Sequence, residues 1–67
     1  ERLNLEEELR QAALEARDAD ALFSLSERLV DDLECWEGAA ELLLPGDPRL
    51  TVARARVRRL REAYQVG

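Results

Sequence analysis

The sequence predicts an all-α domain, either a three-helix up-down-up bundle or an assembly of helical hairpins, with a long central helix. Three observations predict this class. Leu, Ala, Glu and Arg, which are strong helix formers, make up most of the 67 residues. Apolar residues recur at alternating intervals of three and four, the period of a helix that packs on one face. The strongest internal turn signal is the Pro-Gly-Asp-Pro sequence at residues 45–48, which separates two of the predicted helices. We expect residues 1–67 to form one small domain or a fragment of a longer protein.

A first helix is predicted over residues 4–17. Asn4 and Glu7 have the spacing of a capping box, in which each side chain bonds the backbone of the other residue. The apolar seam of this helix comprises Leu5, Leu9, Ala12 and Ala16. A seam with this spacing is expected to pack against a neighbouring helix.

A break is predicted between the first and second helices. The apolar seam loses phase near residues 17–20, where Asp18 and Asp20 are alternative N-caps. The alternative is one helix of about forty residues, since neither Gly nor Pro interrupts positions 3–37.

The second helix is predicted over residues 19–44 and is the longest. Its seam comprises Leu29, Leu33, Trp36, Ala40 and Leu43. Further apolar residues lie outside that seam, so its apolar stripe is too wide for one neighbour; they include Leu22, Phe23, Leu25, Val30, Ala39, Leu42 and Leu44. A helix that is apolar around much of its circumference is central and packs on two sides.

Residues 45–47 are predicted to form a turn and residues 48–65 a third helix. Pro45 cannot extend the second helix, Asp47 is a good N-cap, and Pro48 suits the first helical position. The seam of the third helix comprises Leu50, Ala53, Val57, Leu60 and Tyr64.

Opposite charges are concentrated in different parts of the chain. Residues 1–47 hold fourteen Asp and Glu against four Arg, whereas residues 48–67 hold six Arg against one Glu. Charges beside helical seams choose which helices pair, so the Arg-rich helix is expected to pack against an acidic one. Arg49, Arg58 and Arg59 are the arginines that such pairing explains least. They are expected to lie on a solvated face, to contact an acidic protein or to contact nucleic-acid phosphate.

The sequence lacks the residue types of an active site. It has no His, and Cys35 has no second Cys or His with which to bind zinc. The acidic runs 6–8 and 31–32 are adjacent in sequence and would point to different sides of a helix. We therefore expect no enzymatic activity, no metal and no cofactor. A lone Cys and no stretch of about 20 apolar residues further predict a cytoplasmic location and no membrane span.

These features favour a protein–protein interaction module. The main hypothesis is a homodimer formed through the central helix, in the manner of a coiled coil. Its interface is expected to comprise Leu29, Leu33, Trp36, Ala40 and Leu43. One alternative is a hetero-association domain of a regulatory protein, in which Arg49, Arg58 and Arg59 bind an acidic partner. The other is a nucleic-acid accessory domain that uses the third helix as a basic stripe, although the net charge of −5 counts against it.

Overall fold

The computed structural model describes residues 5–66, and all the elements in this range are α-helices. They are α1 (Leu5–Ala16), α2 (Ala19–Arg28), α3 (Leu33–Leu42) and α4 (Pro48–Val66). The predicted all-helical class is confirmed. The described residues form four helices, however, and not the three that the sequence predicts. Asn4 of the predicted capping box lies outside the described residues.

A two-residue reversal at Arg17 and Asp18 separates α1 from α2. Arg17 is left-handed, with a φ of 54°, and its N–H donates to the Leu14 carbonyl at 3.1 Å. The N–H of Asp18 donates to the Ala13 carbonyl at 3.0 Å, which completes a Schellman-type end to α1. The carboxylate of Asp18 then caps α2 by accepting from a backbone N–H in its first turn at 3.1 Å. The predicted break is therefore present.

The single helix predicted over residues 19–44 is wrong, because the segment forms two helices. Asp32 is the N-cap of α3, and its carboxylate accepts from the N–H of Cys35 at 3.2 Å. In the connection between the helices, the indole N–H of Trp36 donates to the Val30 carbonyl at 3.0 Å. This bond satisfies a backbone acceptor that the helix break leaves without a helical partner.

The wide apolar stripe of this segment is buried because α2 folds back on α3. Phe23 of α2 meets Trp36 of α3 edge to face, with ring centroids 5.6 Å apart. Leu22 and Ala39 are fully buried in the same cluster. Two antiparallel helices thus cover apolar surface that one straight helix would have left to a partner. The apolar period is the same on both sides of the break, so periodicity does not reveal it.

α3 and α4 form an antiparallel hairpin joined by the predicted turn. Glu37 of α3 pairs with Arg61 of α4 at 2.6 Å. Asp31, which precedes α3, accepts from the Tyr64 hydroxyl near the end of α4 at 3.3 Å. α4 begins at Pro48, as the sequence predicts. Its seam packs on α3 through Leu50, Ala53 and Val57, which are buried in the core, and Leu60, which is half-buried.

α1 runs parallel to α3 and lies close to it because of a buried glycine, Gly38. A Cβ added there would come within 2.7 Å of Leu14 Cδ2 in α1 and 3.3 Å of Leu22 Cδ1 in α2. The described residues measure 38 × 32 × 16 Å, so the helices form a thin slab. A slab covers fewer helix faces than a closed bundle, and this leaves the outer faces of α1 and α4 in solvent.

Candidate protein-interaction surfaces

The apolar seam of α1 faces solvent. Leu5 is 63% exposed and Leu9 45% exposed, and both Ala12 and Ala16 are exposed. The side of α1 that packs on the domain carries Arg10, Ala13 and Leu14. The expectation that the seam packs on a neighbouring helix is therefore wrong within the described chain, since α1 is rotated to place its apolar stripe outward.

Arg10 holds α1 in this orientation. Its side chain is only 11% exposed, and its guanidinium pairs with Asp32 at 2.7 Å and with Glu34 at 3.2 Å. Burial by itself lowers the pKa of Arg10, but the hydrogen bond and charge of Asp32 outweigh it and raise the pKa. Burying a guanidinium is costly unless carboxylates offset the loss of its hydration, so this network positions α1 against the start of α3. The sequence signal for it is the one cation among the acids of α1.

Two glutamates flank the exposed seam of α1. Glu8 and Glu15 are exposed and lie seven residues apart, so they project from the same side of the helix about 10 Å from each other. A shallow hollow on this side is lined by Glu7, Glu8, Gln11, Ala12 and Glu15. We call the surface formed by the seam and its two flanking glutamates the acidic seam: Leu5, Glu8, Leu9, Ala12, Glu15 and Ala16.

The outer face of α4 has the opposite charge. Val52 is 48% exposed, and the exposed Ala55 and Arg59 lie beside it on the side that points away from α3. The exposed Arg58 lies at the edge of this side, where it also lines a groove over α3. Arg58 lies 3.6 Å from Glu62 in an i,i+4 pair of two exposed side chains, which contributes only a few tenths of a kcal/mol. Arg59 makes no ion pair with any described residue. We call Val52, Ala55, Arg58 and Arg59 the arginine face.

Arg49, the third arginine of the predicted partner-binding set, is partly exposed and is engaged in ion pairs within the chain instead. Its guanidinium pairs with Asp20 of α2 and with Asp47, both at 2.7 Å. Its Cζ also lies 5.6 Å from the centroid of the Phe23 ring. The hydrogen bonds to Asp47 and Asp20 raise the pKa of Arg49, and Arg49 lowers the pKa of Asp47. Arg49 thus ties the start of α4 to α2, and only Arg58 and Arg59 of the three remain available.

The predicted central interface is largely interior. Trp36 is 2% exposed and Leu43 6% exposed, and both belong to the core cluster of the single chain. Leu29, Leu33 and Ala40 are half-buried. The expectation that Trp36 and Leu43 anchor a dimer is wrong, because α2 covers the face of α3 that a second copy was expected to cover.

The described residues form no evident catalytic or metal-binding arrangement. Cys35 is fully buried, and burial followed by the charge of Asp32 raises the pKa of its thiol to about 11, so the thiol is protonated at neutral pH. No three His, Cys, Asp or Glu side chains between residues 5 and 66 converge as a metal site. No helix in that range is both long and apolar enough to cross a membrane.

A groove of about 650 Å³ runs over α3 between α1 and α4. One wall carries the α3 acids Glu34, Glu37 and Glu41, and the other carries the α4 arginines Arg54, Arg58 and Arg61. Its apolar lining is limited to small or partly covered side chains, so charge pairing dominates this groove.

We compared the chain with known protein families. Residues 18–66 match the family described as "YTH3-like protein, third C-terminal helical domain". The chain belongs to this family. The match covers α2, α3 and α4 and therefore includes the arginine face and the whole core cluster around Trp36 except Ala13 of α1. No curated protein and no solved structure shows significant similarity to the chain.

α1 lies N-terminal to the part of the chain that matches the YTH3-like third C-terminal helical domain. It is attached to that part by the Arg10 network and by the contact of Leu14 with Gly38. The acidic seam is thus carried by a helix outside the family match.

Proposed function

We propose that this chain is a protein-association module, and that it associates with further copies of itself through the exposed seam of α1. The observation that carries the proposal is the exposure of Leu5 and Leu9 on a helix whose other side is anchored by ion pairs. The predicted homodimer is kept as self-association, but its interface moves from the central helix to the surface of the slab.

An anchored helix is a favourable binding element. Because Arg10 and Leu14 already fix the orientation of α1, a partner does not need to order it, and less conformational entropy is lost on binding. Covering two leucines removes apolar surface from water, which contributes about 25 cal/mol for each Å² buried. The family description refers to a third helical domain, and this supports a role among neighbouring helical domains.

Nucleic acid is the less favoured partner. The exposed arginines of α4 are separated from any exposed aromatic platform except Tyr64, whose hydroxyl is bonded to the Asp31 carbonyl. The net charge of −5 also repels phosphate. The acids of α1, Glu8 and Glu15, stand on the same exposed surface as its apolar seam and suit a cationic protein partner better.

Sedimentation velocity across the micromolar range tests self-association. The wild-type chain is expected to sediment faster as its concentration rises. The double variant Leu5→Gln, Leu9→Gln keeps helix propensity and size but removes the apolar seam, so it is expected to remain monomeric. Leu44→Gln is the matched control, because Leu44 is 74% exposed but belongs to the connection before α4 and not to α1.

Two results would contradict the proposal. One is a wild-type chain that stays monomeric up to millimolar concentration. The other is equal loss of association in the α1 variant and in Leu44→Gln, since that would show a general effect of surface polarity and no role for α1.

A further inference from the structure

We infer that the acidic seam of one copy binds the arginine face of α4 on a second copy, so that copies associate head to tail. This inference rests on the proposed function and names the partner surface. Each molecule then offers two different surfaces, and one contact leaves one surface free at each end of the pair.

Charge complementarity selects this pairing. The acidic seam combines leucines with Glu8 and Glu15, and the arginine face combines Val52 with Arg58 and Arg59. Pairing two acidic seams would bring the glutamates of both copies together, and pairing two arginine faces would do the same for the arginines. Like charges at an interface are unfavourable, so the contact between unlike surfaces is the one that remains.

The two surfaces are similarly built. In each, small or aliphatic side chains occupy the middle of an outward helix face, and long charged side chains flank them, as in helices that pack through a seam with charged borders. The existing pair of Arg58 with Glu62 is weak, because both side chains are more than half exposed. A glutamate from a second copy can therefore replace Glu62 at little cost.

Both surfaces are accessible at once. α1 packs mainly on α2 and meets α3 through Arg10 and Leu14, whereas α4 packs on α3, and the outward face of each helix is exposed. No ion pair joins α1 to α4 among the described residues, so the acidic seam is not satisfied by the arginine face of its own chain. The charges are thus left for an intermolecular contact.

Two variants that each lose one surface provide the test. Ala12→Arg places a large cation in the middle of the acidic seam, and Arg58→Glu with Arg59→Glu reverses the arginine face. Each variant alone is expected to associate at least about tenfold more weakly than the wild type, because every contact would use its defective surface. Arg28→Glu, a charge reversal on exposed α2, is expected to associate as the wild type does.

Mixing the two defective variants gives the decisive result. The intact arginine face of the Ala12→Arg chain can bind the intact acidic seam of the other. The remaining pair of altered surfaces is blocked by the bulk of the new arginine and by repulsion between Glu8 and Glu15 and the two introduced glutamates. The mixture is therefore expected to form a 1:1 pair with the mass of two chains and nothing larger. Circular dichroism of each variant checks that its helices remain folded.

Other outcomes overturn this inference in distinguishable ways. If the Arg58→Glu, Arg59→Glu chain associates like the wild type while Ala12→Arg does not, α1 binds a different surface and only the head-to-tail inference fails. If both variants stay monomeric when mixed, the inference also fails. If the wild-type chain never associates, the proposed function fails with it.

Discussion

Trp36 shows at the scale of one residue how burial changes an expected role. Its ring packs edge to face on Phe23, its N–H bonds the Val30 carbonyl, and the Arg56 guanidinium lies 5.4 Å from its centroid. These contacts come from α2, from the loop and from α4. Trp36 therefore joins three parts of one chain, and its loss is expected to reduce folding stability before it affects association.

Trp36→Phe is expected to lower the free energy of unfolding by about 1–2 kcal/mol. Phe keeps most of the apolar contact but leaves the Val30 carbonyl without its donor. Urea unfolding monitored by circular dichroism measures the change. Tryptophan fluorescence is unsuitable, because the substitution removes the one tryptophan of the chain. Phe23→Leu, which keeps the indole hydrogen bond, is the control for ring packing. Weaker self-association with unchanged stability would contradict the core role of Trp36.

At the scale of the helices, Asp32 sets a helix boundary and a helix–helix contact that the apolar periodicity does not reveal. It caps α3 through the N–H of Cys35, and it also pairs with Arg10 of α1. One carboxylate thus ends the connection from α2, begins α3 and holds α1. Asp is common both at N-caps and on solvated faces, so its residue type does not distinguish these roles. Only the position of Arg10 in the folded chain shows that Asp32 also holds α1.

Two substitutions at Asp32 separate its roles. Asp32→Asn keeps an N-cap but loses the charge that faces buried Arg10, and it is expected to cost about 1–2 kcal/mol of stability. Asp32→Ala also loses the cap and is expected to cost about 1 kcal/mol more. Denaturant unfolding measures both, with Asp31→Asn at the exposed neighbour as control. An Asn variant as stable as the wild type would show that the ion pair does not hold α1.

The elements that local signals specify are predictable. The turn at residues 45–47 and the start of α4 follow from Pro45, Asp47 and Pro48, whose backbone preferences act within a few residues. The reversal at Arg17 follows from a loss of phase and a capping Asp. The break before Asp32 is not predictable in this way, because neither Gly nor Pro occurs there and the apolar period continues through it.

At the scale of the whole molecule, the acidic and basic parts of the chain meet at few points. Arg49 pairs with Asp20 and Asp47, and Arg61 pairs with Glu37. The remaining charges of α1 and of the outer face of α4 do not meet within the described chain. The expectation that the Arg-rich helix packs against an acidic one therefore describes α3 and α4, and it leaves α1 to an external partner.

The contact of Arg49 with Asp47 makes the fold sensitive to acid. Its hydrogen bonds lower the pKa of Asp47 in the folded state, so the unfolded chain binds a proton at Asp47 more readily. The stabilisation is present above the unfolded pKa of about 4 and is lost as pH falls through the folded pKa. Asp47→Asn keeps the cap but removes this titration.

The wild-type chain is therefore expected to lose more stability than Asp47→Asn between about pH 5 and pH 2. Thermal unfolding at a series of pH values measures the difference. Glu41→Gln, an exposed acid with no ion pair in the described part of the chain, is the control. Parallel curves for the wild type and Asp47→Asn would contradict the role of the Arg49 contact.

The sequence by itself determined the helical class, the position of the main turn and the division of charge, because propensity, capping and composition act locally or depend only on residue type. Tertiary structure alone decided which side of each helix is covered. α2 folds onto α3 and hides Trp36, while the pairing of Arg10 with Asp32 turns the leucines of α1 outward. Burial depends on what lies across a contact in space, and helical periodicity identifies an apolar face without identifying what covers it.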